Sequence, residues 1–377
     1  MRVVLVLAAA LLTRGQAAPP PAPAAASSLP NTVWERTYRS GTSEYELRFT
    51  APAGDALWIV VGVRPKGQLG GDQQQQLWHL DAKGERTSTT DLEQKTVYGV
   101  AALPNGSAAV VADGDRGGIT YVVADASGQL VSKRAVATHR SDVHVTSVRA
   151  ANGNVIATGR FRLPGWILKL RPSGDVIDDL VIADVSIVED AFETPDGYVA
   201  VGSSVKGAAA AVWVGRLNTK GEVGATATFT GVKPRLGVDG RRAGYVLVYE
   251  TNAQQGRNIV VQRLSDALAS ESSTTWPETM RGMTFGPYGI EPIGDADVLI
   301  AAESPATLPW LRRVNRSGQP VWSYEYRDPA AAATRMWNAS LARWNRDYLA
   351  AFTVTVVEPI GDTYEQRQIV KLIRFGG

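Results

Sequence analysis

Hydrophobic and polar residues alternate in short runs that recur along most of this chain. Seven apolar, strand-like segments, such as SAAVVAD and YVAVGSS, begin at residues 56, 107, 154, 198, 245, 297 and 348. Several of them follow tight-turn sequences such as PNG (104–106) and PDG (195–197), which are typical of β-hairpins. Beyond the N-terminal segment, no stretch shows a helical period of 3.6 residues. The pattern therefore predicts an all-β protein.

A second register is marked by a glycine that closes a polar turn between two strand-like runs. In seven copies this marker position is occupied by Gly84, Gly128, Gly174, Gly221, Leu268, Gly318 and Gly376. The residues seven and four positions before the marker are apolar in every copy. The residue five before it is lysine or arginine in five of the seven copies, which have His79, Val123, Lys169, Arg216, Arg263, Arg313 and Lys371 at this position. Intervals of 44 to 58 residues suit a four-stranded propeller blade.

The two registers together predict a seven-bladed β-propeller built from four-stranded antiparallel blades. The last repeat ends before a fourth strand can form, whereas NTVWERTY at residues 31–38 resembles the missing strand. We therefore expect the N-terminal strand to complete the last blade and close the ring, which protects exposed strand edges. The expected blades span residues 45–90, 96–140, 143–186, 187–231, 234–276, 283–327 and 335–377.

The segments WILKLRPSG (166–174), WVGRLNTKG (213–221) and WLRRVNRSG (310–318) carry a motif that recurs once per blade. They resemble bacterial SBBP-type β-propeller repeats, and the strand pattern is also akin to that of quinoprotein-like propellers. The resemblance covers residues 31–377 and implies the propeller fold. It implies no activity, because propellers host unrelated functions.

The N-terminus has the features of an export signal. Arg2 precedes an apolar stretch, and small residues offer a cleavage site near Ala17 and Ala18. Residues 1–18 are thus a predicted signal peptide, residues 19–30 a Pro/Ala-rich linker, and residues 31–377 the propeller. Removing the signal leaves 37 basic and 37 acidic residues, which does not favour a nucleic-acid partner. We expect a secreted or periplasmic monomer without a transmembrane segment.

In a propeller blade, the first-to-second and third-to-fourth strand turns lie on one face, here called the regular face. The loops on the opposite, irregular face vary more in this sequence, and variable loops on a rigid scaffold usually carry binding. They include residues 67–76, 114–118, 160–165, 251–258 and 356–366. The predicted binding residues on this face are Asp115, Arg116, Arg160, Arg162, Arg257, Glu303 and Glu358.

Few residues suggest chemistry. His139, Asp142 and His144 form a candidate metal site, although their spacing is not that of a known metal motif. The basic residues before the marker favour packing over a ring of cations, because alternation places them beside apolar neighbours. The chain has no cysteine, which excludes thiol chemistry. No cofactor is predicted.

Three functions follow from these observations. The favoured one is a non-enzymatic, exported propeller that binds another exported or envelope protein through its irregular face. The second is a carbohydrate or small-ligand binder that uses aromatic residues near the ring interior, with candidates at Trp276, Tyr288, Trp337 and Trp344. The third is a hydrolase or lactonase that uses channel carboxylates such as Glu189 and Asp190. Strand alternation would point these two adjacent acids to opposite faces.

Overall fold

The computed structural model shows an all-β ring of seven sheets, each made of four antiparallel strands. It describes residues 29–67, 72–138, 142–204, 210–238, 244–253, 256–278, 289–293, 297–303, 308–329, 331–360 and 363–376. The predicted signal peptide lies outside these residues. No helix in the described part of the chain is long and apolar enough to cross a membrane.

The strands follow one another outwards from the ring centre in each blade. Blades 1 to 3 contain β2 (Ser43–Ala53), β3 (Ala56–Pro65), β4 (Gln74–Leu80) and β5 (Arg86–Asp91); β6 (Val97–Ala102), β7 (Ala108–Asp113), β8 (Ile119–Ala124) and β9 (Leu130–Ala135); and β10 (Val143–Ala151), β11 (Asn154–Phe161), β12 (Gly165–Leu170) and β13 (Val176–Ile182).

Blades 4 to 6 repeat the order, and blade 7 takes three strands from the C-terminal end of the chain. These blades contain β14 (Ile187–Thr194), β15 (Gly197–Ser204), β16 (Ala211–Asn218) and β17 (Val223–Thr230); β18 (Val232–Val238), β19 (Gly244–Ala253), β20 (Gly256–Ser265) and β21 (Ser270–Glu278); β22 (Gly289–Ile293), β23 (Asp297–Glu303), β24 (Pro309–Val314) and β25 (Pro320–Glu325); and β26 (Ala333–Trp344), β27 (Asp347–Ile360) and β28 (Thr363–Gly376).

The N-terminal strand closes the ring, as predicted. Strand β1 (Thr32–Tyr38) pairs antiparallel with β28 and becomes the outer strand of blade 7. The Trp34 ring packs edge-on against Trp344 at 5.8 Å, and its Nε1 donates to the Ala82 carbonyl of blade 1 at 2.9 Å. The N-terminal strand therefore links the last blade to the first.

The turn between the third and fourth strands has the same geometry in blades 1 to 6. Gly128 has φ of +91°, and the residue at the equivalent position in blade 5, Leu268, has φ of +62°. Gly128 donates its N–H to the Asp125 carbonyl, and the Asp125 carboxylate accepts the N–H groups of Ser127 and Gln129. This left-handed position explains why glycine marks the repeat, since other residues reach it only with strain.

Apolar side chains between neighbouring blades form the core. The tryptophans that recur in one slot, Trp166, Trp213 and Trp310, are all buried. The basic residues five before the marker reach other strands or turns: the Lys169 ammonium lies 2.7 Å from Glu193 of the next blade, and Arg216 lies 2.6 Å from Asp266. Their role in joining structural elements agrees with the packing interpretation of this position.

Candidate functional site

The innermost strand of most blades carries a β-bulge. Six of the seven innermost strands have an irregular register with the second strand, and blade 6 is the exception among the described pairs. The extra residues in these bulges are Arg48, Tyr98, Thr146, Glu189, Lys233 with Pro234, and Trp337. A bulge interrupts the alternation of side chains along a strand and re-aims its neighbours.

The bulge in β14 corrects one expectation from the sequence. Glu189 and Asp190 both line the central channel, because the register shift lies between Val188 and Asp190. Strand alternation had predicted that the two carboxylates point to opposite faces, and that prediction is wrong. The channel cavity has a volume of about 320 Å³ and is lined by the innermost strands of all seven blades.

Each arginine that lines the channel has an acidic neighbour. The Arg149 guanidinium lies 2.6 Å from Asp190 and stacks 3.8 Å from the centre of the Phe192 ring. Arg48 pairs with Glu46 at 2.9 Å, and Arg235 lies 3.9 Å from Glu189. The last separation is at the limit for an ion pair, so the Glu189–Arg235 contact is weaker than the other two.

Glu291 of blade 6 is the acid in the channel that has no such pairing. Within the described residues no donor lies within bonding distance of its carboxylate. Burial raises the Glu291 pKa to about 7, against the opposing charges of Arg149 and Arg343 and with a contribution from Asp190. Burial also raises the Glu189 pKa, although Arg235 and His144 oppose the shift. At neutral pH the channel therefore contains a carboxyl group close to its titration point.

A second cavity, here called the blade 7 groove, lies between blades 7 and 1 on the irregular face. Its volume is about 660 Å³, and it is lined by Glu44, Arg64, Gly67, Ala333, Thr334, Arg335, Trp337, Thr355, Val357, Gln366, Arg367 and Gln368. The strands on its two sides differ in length, since β27 and β28 each have 14 residues whereas β2 and β3 of blade 1 have 11 and 10. The long hairpin rises beside the shorter blade.

Trp337 is the aromatic residue of this groove and occupies the bulge of β26. The side chain is 55% exposed, and its Nε1 donates to the Thr355 hydroxyl at 2.5 Å, which fixes the orientation of the ring. The Arg335 guanidinium lies 5.9 Å from the centre of the ring. An oriented, exposed tryptophan beside an arginine is a suitable contact for a binding partner.

Ion pairs hold the walls of the groove. Arg64 donates to Glu44 at 2.7 Å and to the Gln368 side chain at 2.8 Å. Arg367 pairs with Glu365 at 2.7 Å and lies 3.5 Å from Glu358. These contacts join strands β2, β3, β27 and β28, so the groove is preorganised on paired strands rather than on a free loop.

The predicted binding residues lie on different blades and do not form one cavity. Glu358 lies closest to the blade 7 groove and is paired with Arg39 and Arg367. Arg160 and Arg162 are exposed on blade 3, with the Arg162 guanidinium 5.4 Å from the Phe161 ring centre. Asp115 is exposed on blade 2, in the 3-10 turn Asp115–Gly117. The side chains of Arg116, Arg257 and Glu303 lie outside the described residues.

The metal and aromatic candidates are only partly described. His139 and Tyr288 lie outside the described residues, His144 is exposed, and the Asp142 N–H donates to the Gly117 carbonyl. No described group of three or more acidic or histidine side chains is placed to hold a metal ion. Trp276 lies on the outer strand β21, so its predicted place near the ring interior is wrong. Trp344 is fully buried and donates to the Gly54 carbonyl.

Solved structures similar to this chain are propellers. The Dos1 propeller aligns with a TM-score of 0.55 and 10% identity over 92% of this chain and 96% of that one. The β-propeller domain of the Trilobed protease from Pyrococcus furiosus aligns with a TM-score of 0.53 and 9% identity over 87% of this chain and 96% of that one. YCF48 from Cyanidioschyzon merolae aligns with a TM-score of 0.50 and 10% identity over 91% of this chain and 98% of that one. At such identities the likeness shows the fold alone.

No protein-family model and no curated protein matches this sequence. The resemblance to SBBP-type repeats therefore stays a prediction at the level of family, whereas the propeller fold is shown. Because unrelated propellers share this fold, the features that bear on the function of this chain are its own cavities.

Proposed function

We propose that this chain is an exported, non-enzymatic propeller that binds another exported or envelope protein through its irregular face. The blade 7 groove is the centre of the binding surface, and Trp337 is its main contact residue. Export rests on the signal-like sequence of residues 1–18, and the binding role rests on the exposed tryptophan in a preorganised groove.

The composition of the groove supports a protein partner. Residues that contribute most to protein interfaces are enriched in tryptophan, tyrosine and arginine. The groove presents Trp337 with Arg64, Arg335 and Arg367 around it, and Tyr364 is 71% exposed in β28, near the turn of the adjoining hairpin. The ion pairs in the walls reduce the entropy that is lost on binding, because these side chains are already ordered.

A quantitative pull-down tests the proposal. The bait is the chain from residue 19, used on an envelope extract of the source organism, with Trp337→Ala compared with the wild type. Val131→Ala is the matched control, because Val131 is an equally exposed hydrophobic residue (60%) on the outer strand β9. We expect one protein to be retained near stoichiometry and to fall at least 10-fold with Trp337→Ala only. Equal retention by both variants, or no retained protein, would contradict the proposal.

A carbohydrate ligand is the second candidate for the same groove. The amide side chains of Gln366 and Gln368 lie beside Trp337, and an aromatic face flanked by amides also suits a sugar ring. Quenching of tryptophan fluorescence across a glycan panel distinguishes the two. A saturable signal that is absent in Trp337→Ala would support the sugar, and a protein retained in the pull-down would support the first proposal.

A further inference from the structure

We propose that the central channel binds a small organic cation, a primary ammonium or a guanidinium group, through the Glu291 carboxylate. The site differs from the blade 7 groove and does not depend on the function proposed for it. The cation is either a free small molecule or the lysine or arginine side chain of a bound protein. Both sources present the same charged group to the channel.

The pairing of charges favours a cation over an anion. The channel arginines Arg48, Arg149 and Arg235 each have a carboxylate within 4 Å. Glu291 lines the same cavity without a donor among the described residues. Glu291 is half-buried, so its carboxylate is only partly hydrated, and a ligand that supplies N–H groups and a positive charge gains the pairing that the described residues do not provide.

The chemistry of the walls favours an organic cation over a metal ion. A hard divalent cation needs six or more oxygen ligands, and the described residues offer no group of three acidic or histidine side chains placed for one. The lining of the cavity is mostly polar, and Val148, Leu236, Ile290 and Leu341 contribute its apolar part. These side chains suit the methylene groups of an alkylammonium or alkylguanidinium ion. The volume of about 320 Å³ is at the lower end for small-ligand sites.

The ionisation of Glu291 couples binding to pH. Because its pKa is raised to about 7, the carboxyl group is partly protonated at neutral pH, and a bound cation shifts it to the ionised form. The other charged or titratable groups around Glu291 are Arg149 on β10, Asp190 and Glu189 on β14, Arg235 on β18, Arg48 on β2, Arg343 on β26 and Tyr348 on β27.

Isothermal titration calorimetry with butylguanidinium tests the site directly. Butylurea is the neutral probe of the same shape, and valerate is the anionic probe. We expect butylguanidinium to bind at one site and release about half a proton at pH 7, with affinity falling roughly 10- to 30-fold between pH 8 and pH 5.5. We expect the two other probes to bind at least 10-fold more weakly. Equal binding of butylurea would overturn the proposal.

Two variants tie the signal to Glu291. Glu291→Gln should lower butylguanidinium affinity at least 10-fold and abolish proton release, whereas Glu271→Gln, an exposed acid on the outer strand β21, should change neither. Thermal melts establish that both variants are folded. Unchanged affinity in Glu291→Gln, or no heat from butylguanidinium at millimolar concentration, would refute the site.

The same titration identifies the source of the cation. A capped Gly-Arg-Gly peptide that binds as tightly as butylguanidinium, through Glu291, indicates the side chain of a protein partner. A peptide that fails to bind while butylguanidinium binds indicates a free small molecule. Trp337→Ala should leave butylguanidinium binding unchanged, so failure of the groove proposal and failure of the channel proposal are separate results.

Discussion

Blades 2 and 7 have the same four-stranded topology and differ in size and in construction. Each strand of blade 2 has 6 residues, and most of these residues are alanine or valine. In blade 7 the strands from the C-terminal end have 12, 14 and 14 residues, and the fourth comes from the other end of the chain. Blade 7 therefore keeps the topology of blade 2 and extends its strands.

The additions to blade 7 lie where binding is proposed. Its long hairpin forms a wall of the blade 7 groove, and its bulge presents Trp337. Blade 2 contributes Val100 to the channel and no charged side chain. Under the proposed function, the short blade 2 completes the ring, and the elongated blade 7 also carries the binding surface.

The largest loss of stability should come from removing β1, because blade 7 takes this strand from the other end of the chain whereas blade 2 is built from one continuous segment. A chain that begins at Arg39 lacks β1, so β28 loses its paired neighbour and Trp34 no longer covers Trp344. We expect the free energy of unfolding to fall by roughly 5 kcal/mol or more, from lost apolar burial and an exposed edge. Urea unfolding and size-exclusion chromatography measure the loss and the resulting association.

Adding a synthetic peptide of residues 30–39 gives the control for this truncation. If β1 acts as an outer strand, the peptide should restore most of the stability in a concentration-dependent way. An unchanged urea midpoint in the truncated chain would show that the ring does not depend on closure.

The next largest effect concerns the pH dependence of stability. Blade 2 contributes the apolar Val100 to the channel, whereas blade 6 contributes the titratable Glu291. The Glu291 pKa of about 7 lies above its usual value of 4.5, so the folded state binds the proton more tightly than the unfolded chain between these values. Stability associated with Glu291 is present below pH 4.5 and is lost as pH rises through 7. We expect Glu291→Gln to be more stable than the wild type by about 3 kcal/mol at most at pH 8, and equal to it near pH 4.

Urea unfolding at several pH values measures this difference, with Glu271→Gln as the exposed control. A constant difference between wild type and Glu291→Gln from pH 4 to pH 8 would show that Glu291 keeps its ordinary pKa in the folded protein.

The ring itself was predictable from the sequence because the repeat makes each blade report on the others. A glycine such as Gly128 is required by its left-handed turn, and the same left-handed position recurs in blades 1 to 6. The copy in blade 5, which has Leu268 in place of glycine, keeps the same turn geometry, since Leu268 adopts a positive φ. The closing strand was predictable as well, because Val33 and Trp34 repeat the pattern of Val321 and Trp322.

The channel was not predictable in the same way. Strict alternation would place Glu189 and Asp190 on opposite faces of their strand, but the bulge after Val188 breaks that alternation. An adjacent acidic pair in a predicted innermost strand was the available signal. Glu291 lies in a strand of 5 residues, and no local sequence pattern distinguishes it. Burial and neighbouring charges make Glu291 notable, and both depend on how the blades meet.

A smaller effect tests how tightly blade 2 packs on its neighbour. A Cβ at Gly99 would lie 2.5 Å from the Val148 Cβ, so the blades must separate to accept alanine. We expect Gly99→Ala to lower the free energy of unfolding by about 2 kcal/mol, typical of overpacking. Gly237→Ala is the matched control on the innermost strand of blade 5, where the new Cβ meets Ile290 at an ordinary 3.7 Å. Equal urea midpoints for the two variants would contradict tight packing at Gly99.

The smallest effect on stability should come from shortening blade 7 towards the proportions of blade 2. Replacing residues 359–364 with Asn-Gly removes the end of the hairpin and keeps the paired residues Glu358 and Glu365 as its new base. Because Tyr364 is 71% exposed, the free energy of unfolding should change by less than about 0.5 kcal/mol. Partner retention in the pull-down should nevertheless fall if the hairpin end belongs to the binding surface. A large loss of stability would mean that the extension supports the fold, and the contrast between the two blades would then be structural rather than functional.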